Sequence, residues 1–411
     1  MADKSDRAKR EEEVLKFWQD NKIFEKTLEK GGKEFVFYDG PPFATGLPHA
    51  GSLLSSVIKD VIPRYKTMRG YHVRRRWGWD CHGLPIENII EKELGIKDKT
   101  EIESKFGIKA FNEACRSSVL RYAKEWKQYV DRVGRWVEYD NAYKTMDNTF
   151  IESVWHALKK INEKGLLYEG RKVLLYCPRC ETPIAKAEIA MDNSYKDVTE
   201  ESMTVEFRIK GEKNKSLLAW TTTPWTLPGN VALAVHPDID YVEIEKKDMG
   251  TGKLVRFILA KNRLSAIFGN DEYKIAREMK GGELVGLEYE PLFEIPAVRN
   301  TGKKAFYVAE ANFVTTEEGT GIVHTAVIYG EDDYQLGLKL DLPMVPLLDE
   351  KGHFNSSAPE LIQGQYFKKA EKTIKDDLET RSLIFKRENH THSYPHCHRC
   401  GTALIYNALT S

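Results

Sequence analysis

Two cysteine pairs with the same spacing stand far apart in the sequence and constrain its fold more than any other feature. Cys177 and Cys180 enclose two residues, and Cys397 and Cys400 enclose two residues as well. A pair with this spacing offers two thiolates from one turn, and two such pairs complete a tetrahedral zinc site. The 216 residues between the two pairs would then contain a domain inserted between the two halves of one metal site. Four unrelated thiols are the alternative interpretation.

Histidines crowd the second cysteine pair and could replace a sulfur ligand. They are His390, His392, His396 and His398. The symmetry of the two pairs favours four thiolates. We therefore predict a structural Zn²⁺, because four protein ligands leave no coordination position open for water.

Composition and charge exclude several classes of protein. The 411 residues include 62 Lys and Arg against 62 Asp and Glu, which argues against binding nucleic acid through bulk positive charge. No apolar run reaches the roughly 18 residues that a membrane span requires, so we expect no membrane partner. Few cysteines, most of them in metal-type pairs, favour a reducing compartment, and we expect the chain to be cytoplasmic.

The first part of the chain has the pattern of an α/β unit. Residues 7–28 predict one amphipathic helix, and the aromatic run Phe35–Tyr38 predicts a strand that ends in a loop rich in Pro and Gly. Apolar residues spaced by three and four predict a helix from Ser52, and residues 71–79 predict a second strand. In such a βαβ unit, ligands bind at the loop that follows the first strand.

The middle of the chain changes to short β-patterned runs broken by Gly and Pro, after a mostly helical region at residues 104–166. These runs are Leu217–Thr222, Val231–Val235, Val255–Ala260 and Gly321–Ile328. We predict a separate β-rich domain. The predicted organisation is residues 1–185, residues 186–390 for the inserted domain, and residues 391–411 for the return of the chain.

Two stretches of the first part could bind a substrate. His49 and Ser52 flank Gly51 where the predicted helix begins, and a helix amino terminus with such donors binds phosphate; a simple helix cap is the alternative. Asp80 follows the second predicted strand, within Gly78-Trp79-Asp80-Cys81-His82-Gly83. Its carboxylate could hold a cationic group, or it could belong to a structural turn.

Taken together, these motifs identify a family. In chain order they are Asp39–Ser52, Arg64–Glu93, the first cysteine pair, Trp220–Pro228, Gly319–His324 with Gly330–Tyr334, and the second cysteine pair. The chain resembles the amino-terminal part of isoleucyl-tRNA synthetases over nearly all its residues. The resemblance implies an α/β fold, with the first half of a Rossmann-like class I synthetase catalytic domain and an inserted β-rich editing domain.

The resemblance also implies an activity and its site residues. The family joins isoleucine to tRNA(Ile) with ATP and Mg²⁺ as substrate, and it hydrolyses valyl-tRNA(Ile) at an editing site. His49 matches the first histidine of the His-x-Gly-His signature that binds ATP, and Pro41 and Asp80 match positions that hold the amino group of isoleucine. The matches to the editing pocket are Thr221, Thr222, Thr223, Trp225, His324 and Asp333.

The editing site has a physical rationale in this family. A hydrophobic pocket rejects a substrate one methylene smaller by only about 1–3 kcal/mol, so a second site that admits the smaller product improves the accuracy. Asp333 is suited to the amino group of the ester, and the threonine hydroxyls can orient water and ester. His324 is suited to crowd out isoleucine.

The chain departs from the family pattern in three respects. Ser52 stands where the signature has its second histidine, and a hydroxyl replaces an imidazole at the phosphate site. Ala326-Val327 stand where the family usually has Ala-Pro. The second ATP signature, Lys-Met-Ser-Lys-Ser, does not occur, and we expect the chain to be a fragment truncated before it.

Three functions remain open from the sequence. The first is the isoleucine-tRNA ligase with editing. The second is a stand-alone editing hydrolase, and the third is a non-catalytic, zinc-stabilised RNA-binding paralogue. Isoleucine-dependent pyrophosphate exchange distinguishes the first from the others, and valyl-tRNA hydrolysis distinguishes the second from the third.

Overall fold

A computed structural model of the chain describes residues 4–43, 45–190, 194–248 and 252–410. The fold is mixed α/β and divides into two compact units, Met1–Tyr168 and Glu169–Ser411. The domain bounds predicted at residues 185 and 390 stay a prediction. Among the described residues, no helix is both long and apolar enough to cross a membrane.

Helices make up most of the first unit, together with two short strands. The helices are α1 (Asp6–Asp20), α2 (Ile23–Glu29), α3 (Ala50–Met68), α4 (Leu84–Leu94), α5 (Ile108–Val119), α6 (Ala123–Val133) and α7 (Asn148–Glu163), with a π-helical turn at Ile102–Phe106. The strands are β1 (Arg76–Trp79) and β2 (Glu138–Lys144), which pair in parallel.

The single helix predicted for residues 7–28 is wrong, because the chain breaks between α1 and α2. Lys22 has a left-handed backbone with φ 48°, and the Asn21 side chain donates to the Phe17 carbonyl at 2.9 Å. Asparagine competes for helix carbonyls in this way and favours helix ends. The apolar periodicity continues through the break, which is why the sequence pattern does not reveal it.

The first predicted strand is an extended segment without a regular ladder. Two isolated parallel bridges pair its ends with the segment that contains β1: Glu34 pairs with His72, and Phe43 pairs with Asp80. Pro41 and Pro42 have no backbone N–H, so they cannot donate to a neighbouring strand. The second predicted strand is likewise regular only over β1. Of the expected strand, loop, helix and strand, the structure thus has α3 and β1, with an extended segment in place of the first strand.

Strands dominate the second unit. They are β3 (Arg171–Cys177), β4 (Thr182–Ile184), β5 (Tyr195–Arg208), β6 (Lys215–Thr221), β7 (Ala232–Val235), β8 (Asp240–Lys247), β9 (Leu254–Ala260), β10 (Lys274–Lys280), β11 (Tyr307–Glu310), β12 (Val323–Thr325), β13 (Ile384–Pro395) and β14 (Ile405–Thr410). The helices are α8 (Lys186–Ile189), α9 (Leu264–Phe268), α10 (Pro296–Arg299), α11 (Glu331–Leu340) and α12 (Phe367–Thr380). Short 3₁₀ turns lie at Pro224–Gly229, Lys261–Arg263, Gly281–Leu284 and Glu360–Ile362.

These strands form three sheets. The largest has six strands in the order β10-β8-β9-β6-β5-β13, and two three-stranded sheets have the orders β11-β7-β12 and β14-β3-β4. The third sheet is built from both ends of the unit, because β14 pairs antiparallel with β3. It therefore brings the chain segments before and after the β-rich region side by side.

Both faces of the six-stranded sheet are covered. Alternate residues of β6 point to opposite sides: Leu217 joins the largest buried cluster with residues of α12 such as Phe367, whereas Leu218 joins a second cluster with Phe268 of α9. Successive side chains of a strand alternate in this way. Burial on both sides explains why the sequence shows continuous apolar runs here instead of alternation.

Gly78 of β1 provides a test of packing beside the loop that contains Asp39. A Cβ at this position would overlap the ring of Tyr143, whose hydroxyl donates to the Asp39 carbonyl at 3.1 Å. We expect Gly78→Ala to lower the free energy of unfolding by about 1–3 kcal/mol in urea titrations, as overpacking does. Gly31→Ala meets no atom within 4 Å and should stay within about 0.5 kcal/mol of the parent. Equal stability of both variants would contradict this packing.

Candidate functional sites

The structure brings the four predicted cysteine ligands together. Cys177 ends β3, Cys180 follows in a turn, and Cys397 and Cys400 lie between β13 and β14. Their sulfur atoms all lie within 4.8 Å of one another, and the sulfurs of Cys177 and Cys400 are 3.5 Å apart. The neighbouring histidines lie outside this set: His396 Nδ1 contacts the Tyr394 carbonyl at 3.0 Å, and His398 Nε2 lies 3.9 Å from Glu188.

The chemistry and spacing of these donors fit a structural Zn²⁺. Zn–S bonds of about 2.3 Å in a tetrahedron put the sulfurs roughly 3.8 Å apart, close to the separation seen here. Hydrogen bonds from the other three thiols lower the pKa of Cys400, and the contacts that Cys177 makes in the same cluster raise its pKa. Four thiolates this close repel one another, and a divalent cation offsets that repulsion.

Replacing one ligand tests the metal site. We expect Cys177→Ser to lower the bound zinc, measured by mass spectrometry of the purified chain, together with the free energy of unfolding, because the site joins both ends of the second unit. Cys115→Ser, at a half-buried cysteine outside the cluster, should keep the parent's zinc content. Full zinc occupancy in a chain that lacks both Cys177 and Cys397 would refute the assignment.

The two residues predicted at the phosphate site form a cap on α3. His49 Nδ1 accepts from the Gly51 N–H at 3.1 Å, and Ser52 Oγ accepts from the His49 N–H at 3.2 Å. Since Nδ1 of the neutral ring is an acceptor, the ring proton is on Nε2, and the Ser52 O–H is still free to donate. The cap therefore leaves two donors at the amino terminus of a 19-residue helix.

A cleft of about 280 Å³ lies beside this helix terminus. Its lining includes Pro41, His49, Ser52, Ser56, Lys59 and Arg135. Asp80 does not line it but lies next to the same loop, because its N–H donates to the Pro42 carbonyl at 3.0 Å. The structure thus gathers Pro41, His49 and Ser52 at one cleft and leaves Asp80 on the adjacent strand end.

Sequence reasoning missed the charged groups of this cleft. Lys59 lies 2.6 Å from Asp39 and donates to the Gly40 carbonyl at 2.7 Å, and Arg135 forms a second ion pair with Asp39. Two cations facing one carboxylate leave a net positive charge beside the helix terminus. The ion pair with Arg135 could not be predicted, because Arg135 follows α6, far from Asp39 in the chain, and no local sequence pattern connects the two residues.

The second unit contains a connected set of hydroxyls and one imidazole. Where β6 ends, the Thr223 N–H donates to Thr221 Oγ1 at 3.1 Å. In the following 3₁₀ turn, Thr226 Oγ1 donates to the Thr223 carbonyl at 2.8 Å and lies 2.9 Å from His324 Nε2. Thr226 was not assigned a role from the sequence, although it lies inside the threonine-rich motif.

Burial shifts the pKa values of two titratable groups in this region, His324 and Asp333. Burial lowers the pKa of His324 to about 4, so the ring is neutral at pH 7. Burial also raises the pKa of Asp333 to about 6, against the opposing effect of the Ala326 N–H, which donates to the carboxylate at 3.0 Å. Part of Asp333 remains accessible to solvent. Carboxylates with raised pKa values are over-represented at functional sites.

The structure gives the remaining predicted residues different surroundings. Trp225 is buried, and its ring packs edge-on against Tyr329 at 5.0 Å and Phe367 at 5.1 Å. Thr222 is partly exposed. One hydrogen-bonded set thus contains Thr221, Thr223 and His324, linked through Thr226. Asp333 binds the backbone two residues after His324. Trp225 belongs to the core.

The raised pKa of Asp333 has a consequence for stability. A carboxyl whose folded pKa exceeds its unfolded pKa destabilises the fold when ionised, above about pH 6, and the cost disappears below about pH 4. We expect Asp333→Asn to raise the free energy of unfolding by about 1–2 kcal/mol at pH 8, with no gain at pH 4. Asp332→Asn, at the exposed neighbour, should leave stability nearly unchanged. A less stable Asp333→Asn chain at pH 8 would contradict the burial cost.

Comparisons with known proteins agree with the motifs. The model of the family described as tRNA synthetases class I (I, L, M and V) matches residues 13–385. The isoleucine–tRNA ligase of Treponema denticola is 48% identical over 442 residues, covering 99% of this chain and 39% of that protein. The isoleucine–tRNA ligase of Clostridium novyi is 49% identical over 400 residues, covering 96% of this chain and 37% of that protein. The chain thus spans less than half the length of these relatives.

Solved structures give a weaker likeness. The editing domain of the P. knowlesi cytosolic leucyl-tRNA synthetase is 15% identical and has a TM-score of 0.35, covering 46% of this chain and 97% of that chain. A ternary complex of an Agrobacterium radiobacter K84 LeuRS with tRNA and LeuAMS is 17% identical, with a TM-score of 0.33, covering 98% of this chain and 52% of that chain. Scores this low carry no argument about the fold.

Proposed function

The chain belongs to the class I tRNA synthetases, and from that premise we propose that it is part of an isoleucine-tRNA ligase that also hydrolyses valyl-tRNA(Ile). The editing half of the proposal rests on one set of hydrogen bonds. They link Thr221, Thr223 and His324 through Thr226, and the Asp333 carboxylate accepts from the Ala326 N–H, two residues after His324. Its hydroxyls, neutral imidazole and carboxylate suit hydrolysis of an aminoacyl ester.

The catalytic half of the proposal rests on the first unit. We infer a Rossmann-like arrangement, supported by parallel pairing between residues 34–43 and 72–80, by parallel β1 and β2, and by α3 as the crossover helix. ATP with Mg²⁺ would be held at the α3 amino terminus by His49 Nε2–H and the Ser52 hydroxyl. The ammonium group of isoleucine would be held near Pro41 and Asp80.

The editing site works by selection and orientation in this proposal. Asp333 takes the ammonium group of the valyl ester, because a carboxylate that is costly to bury gains most from an incoming cation. The hydroxyls of Thr221, Thr222 and Thr223 orient the ester and the attacking water. His324 limits the size of the side chain, and Trp225 supports the pocket from the core.

Cofactor, partners and location follow from the same proposal. Cys177, Cys180, Cys397 and Cys400 would hold Zn²⁺ in a structural role, because four thiolate ligands would leave no position open for water. The partners are tRNA(Ile), isoleucine and ATP, and the site of action is the cytoplasm.

Hydrolysis by the chain itself tests the editing half. We expect the 411-residue chain to release valine from valyl-tRNA(Ile) and Asp333→Ala to slow this release at least about 100-fold, because the ammonium loses its partner. The rate should also fall as the pH drops below about 6, where the Asp333 carboxyl takes up a proton. Asp332→Ala, one residue away and exposed, is the matched control and should keep the parent rate.

The outcomes separate the three functions left open by the sequence. If Asp333→Ala hydrolyses valyl-tRNA as fast as the parent, the editing site lies elsewhere. Isoleucine-dependent pyrophosphate exchange by the longer protein, lost in Asp80→Ala, supports the ligase. Hydrolysis without any exchange supports the stand-alone hydrolase, and the absence of both supports the RNA-binding paralogue.

A further inference from the structure

Asp39 connects three parts of the first unit immediately before Pro41. Its carboxylate lies 2.6 Å from Lys59 Nζ of α3 and forms an ion pair with Arg135, which follows α6. Its main-chain carbonyl accepts from the Tyr143 hydroxyl of β2 at 3.1 Å. At most 26% of each of the three charged side chains is exposed, and ion pairs sheltered in this way are only weakly screened by salt. These contacts therefore fix the chain where the loop begins.

Lys59 also holds the backbone next to Pro41. Its ammonium group donates to the Gly40 carbonyl at 2.7 Å. Two residues later, the Pro42 carbonyl accepts from the Asp80 N–H at 3.0 Å. The proline ring fixes φ at about −65°. With φ fixed and the carbonyls on both sides bound, the direction of the Pro41 carbonyl is determined.

The carbonyl of Pro41 is the group of this residue that can hold an amine. Proline has a carbonyl but no N–H, so it contacts an ammonium group only as an acceptor. No donor among the described residues reaches this carbonyl, and Pro41 lines the cleft beside the α3 amino terminus. An acceptor that is already held in place costs less to bind than a mobile one.

We propose that Lys59 is a positioning residue for the amine of isoleucine, because its ammonium group holds the Gly40–Pro41 peptide in the orientation that presents the Pro41 carbonyl to the ligand. The proposal rests on the ligase function proposed above. Asp39 is required as well, since an unpaired lysine this close would repel the incoming ammonium group, and the carboxylate offsets its charge. The alternative is that Lys59 itself binds the phosphates of ATP, because it lines the same cleft.

The contact with Gly40 is tested by NMR of the chain. Gly40–Pro41 is the one Gly-Pro dipeptide of the sequence, so labelling with carbonyl-¹³C glycine and ¹⁵N proline gives a single coupled carbonyl signal. Lys59→Met should move this signal upfield, as loss of a hydrogen bond to a carbonyl does, whereas Lys59→Arg keeps a cationic donor and should stay closer to the parent. Lys66→Met removes a lysine that lies two turns further along α3, over the Phe35 ring at 4.8 Å, and should leave the signal unchanged. An unchanged Gly40 signal in Lys59→Met would overturn the proposal.

Kinetics of the longer protein separate positioning from ATP binding. In isoleucine-dependent pyrophosphate exchange, Lys59→Met should raise the KM for isoleucine about tenfold, the equivalent of one hydrogen bond, and should leave the KM for ATP within about twofold of the parent. Lys59→Arg should restore most of the affinity for isoleucine. Asp39→Asn keeps the shape of the side chain without its charge and should also raise the KM for isoleucine. A raised KM for ATP with an unchanged KM for isoleucine would assign Lys59 to ATP and overturn the proposal.

A purely structural role of Lys59 has a different signature. Loss of packing would raise both KM values and lower kcat together in Lys59→Met, and Lys59→Arg would not rescue them; this result would overturn the positioning role. Absence of exchange in the parent would refute the ligase function and the amine contact with it, whereas the carbonyl signal of Gly40 still decides whether Lys59 fixes the peptide.

Discussion

The cluster of four sulfurs is the constraint on which the second unit depends. It closes the chain where β3 ends and β14 begins, and these two strands pair antiparallel. The same two strands also contact the chain near His324 and Asp333: the Ala408 N–H of β14 donates to the Ile328 carbonyl at 2.9 Å, and the Tyr334 hydroxyl donates to the Arg171 carbonyl of β3 at 3.2 Å. Ile328 and Tyr334 lie between and beside the positions of His324 and Asp333. These two hydrogen bonds join the strands that bear the cysteine cluster to the segments that hold His324 and Asp333.

His324 and Asp333 have protonation states that are set by burial. The imidazole stays neutral because desolvation disfavours its charged form, and the carboxylate resists ionisation for the same reason. In the proposed editing reaction, an incoming ammonium group would reverse the second effect, since it would supply the opposite charge that the carboxylate lacks. In the proposed editing site, burial of the Asp333 carboxylate thus carries a cost that a cationic ester would offset, and the neutral imidazole of His324 would add shape without competing charge.

Much of this was accessible from the sequence, and the parts that were not have physical reasons. The family match confirms the resemblance, and the spacing of the cysteine pairs led to a cluster that the structure assembles. The helix break at Lys22 could not be predicted, because the apolar periodicity of the sequence continues across it. The ion pair between Arg135 and Asp39 and the bond between Thr226 and His324 join residues far apart in the chain. Such contacts depend on the tertiary fold, which a single sequence does not encode in any local pattern.

We propose that the site around His324 and Asp333 recognises a valyl ester by its amine and its size. A crystal structure of the chain with a non-hydrolysable valyl-adenosine amide tests this most directly. We expect the ammonium nitrogen within hydrogen-bond distance of the Asp333 carboxylate, with the valine side chain against the His324 ring. A ligand bound elsewhere, or bound here with the amine directed away from Asp333, would contradict this recognition.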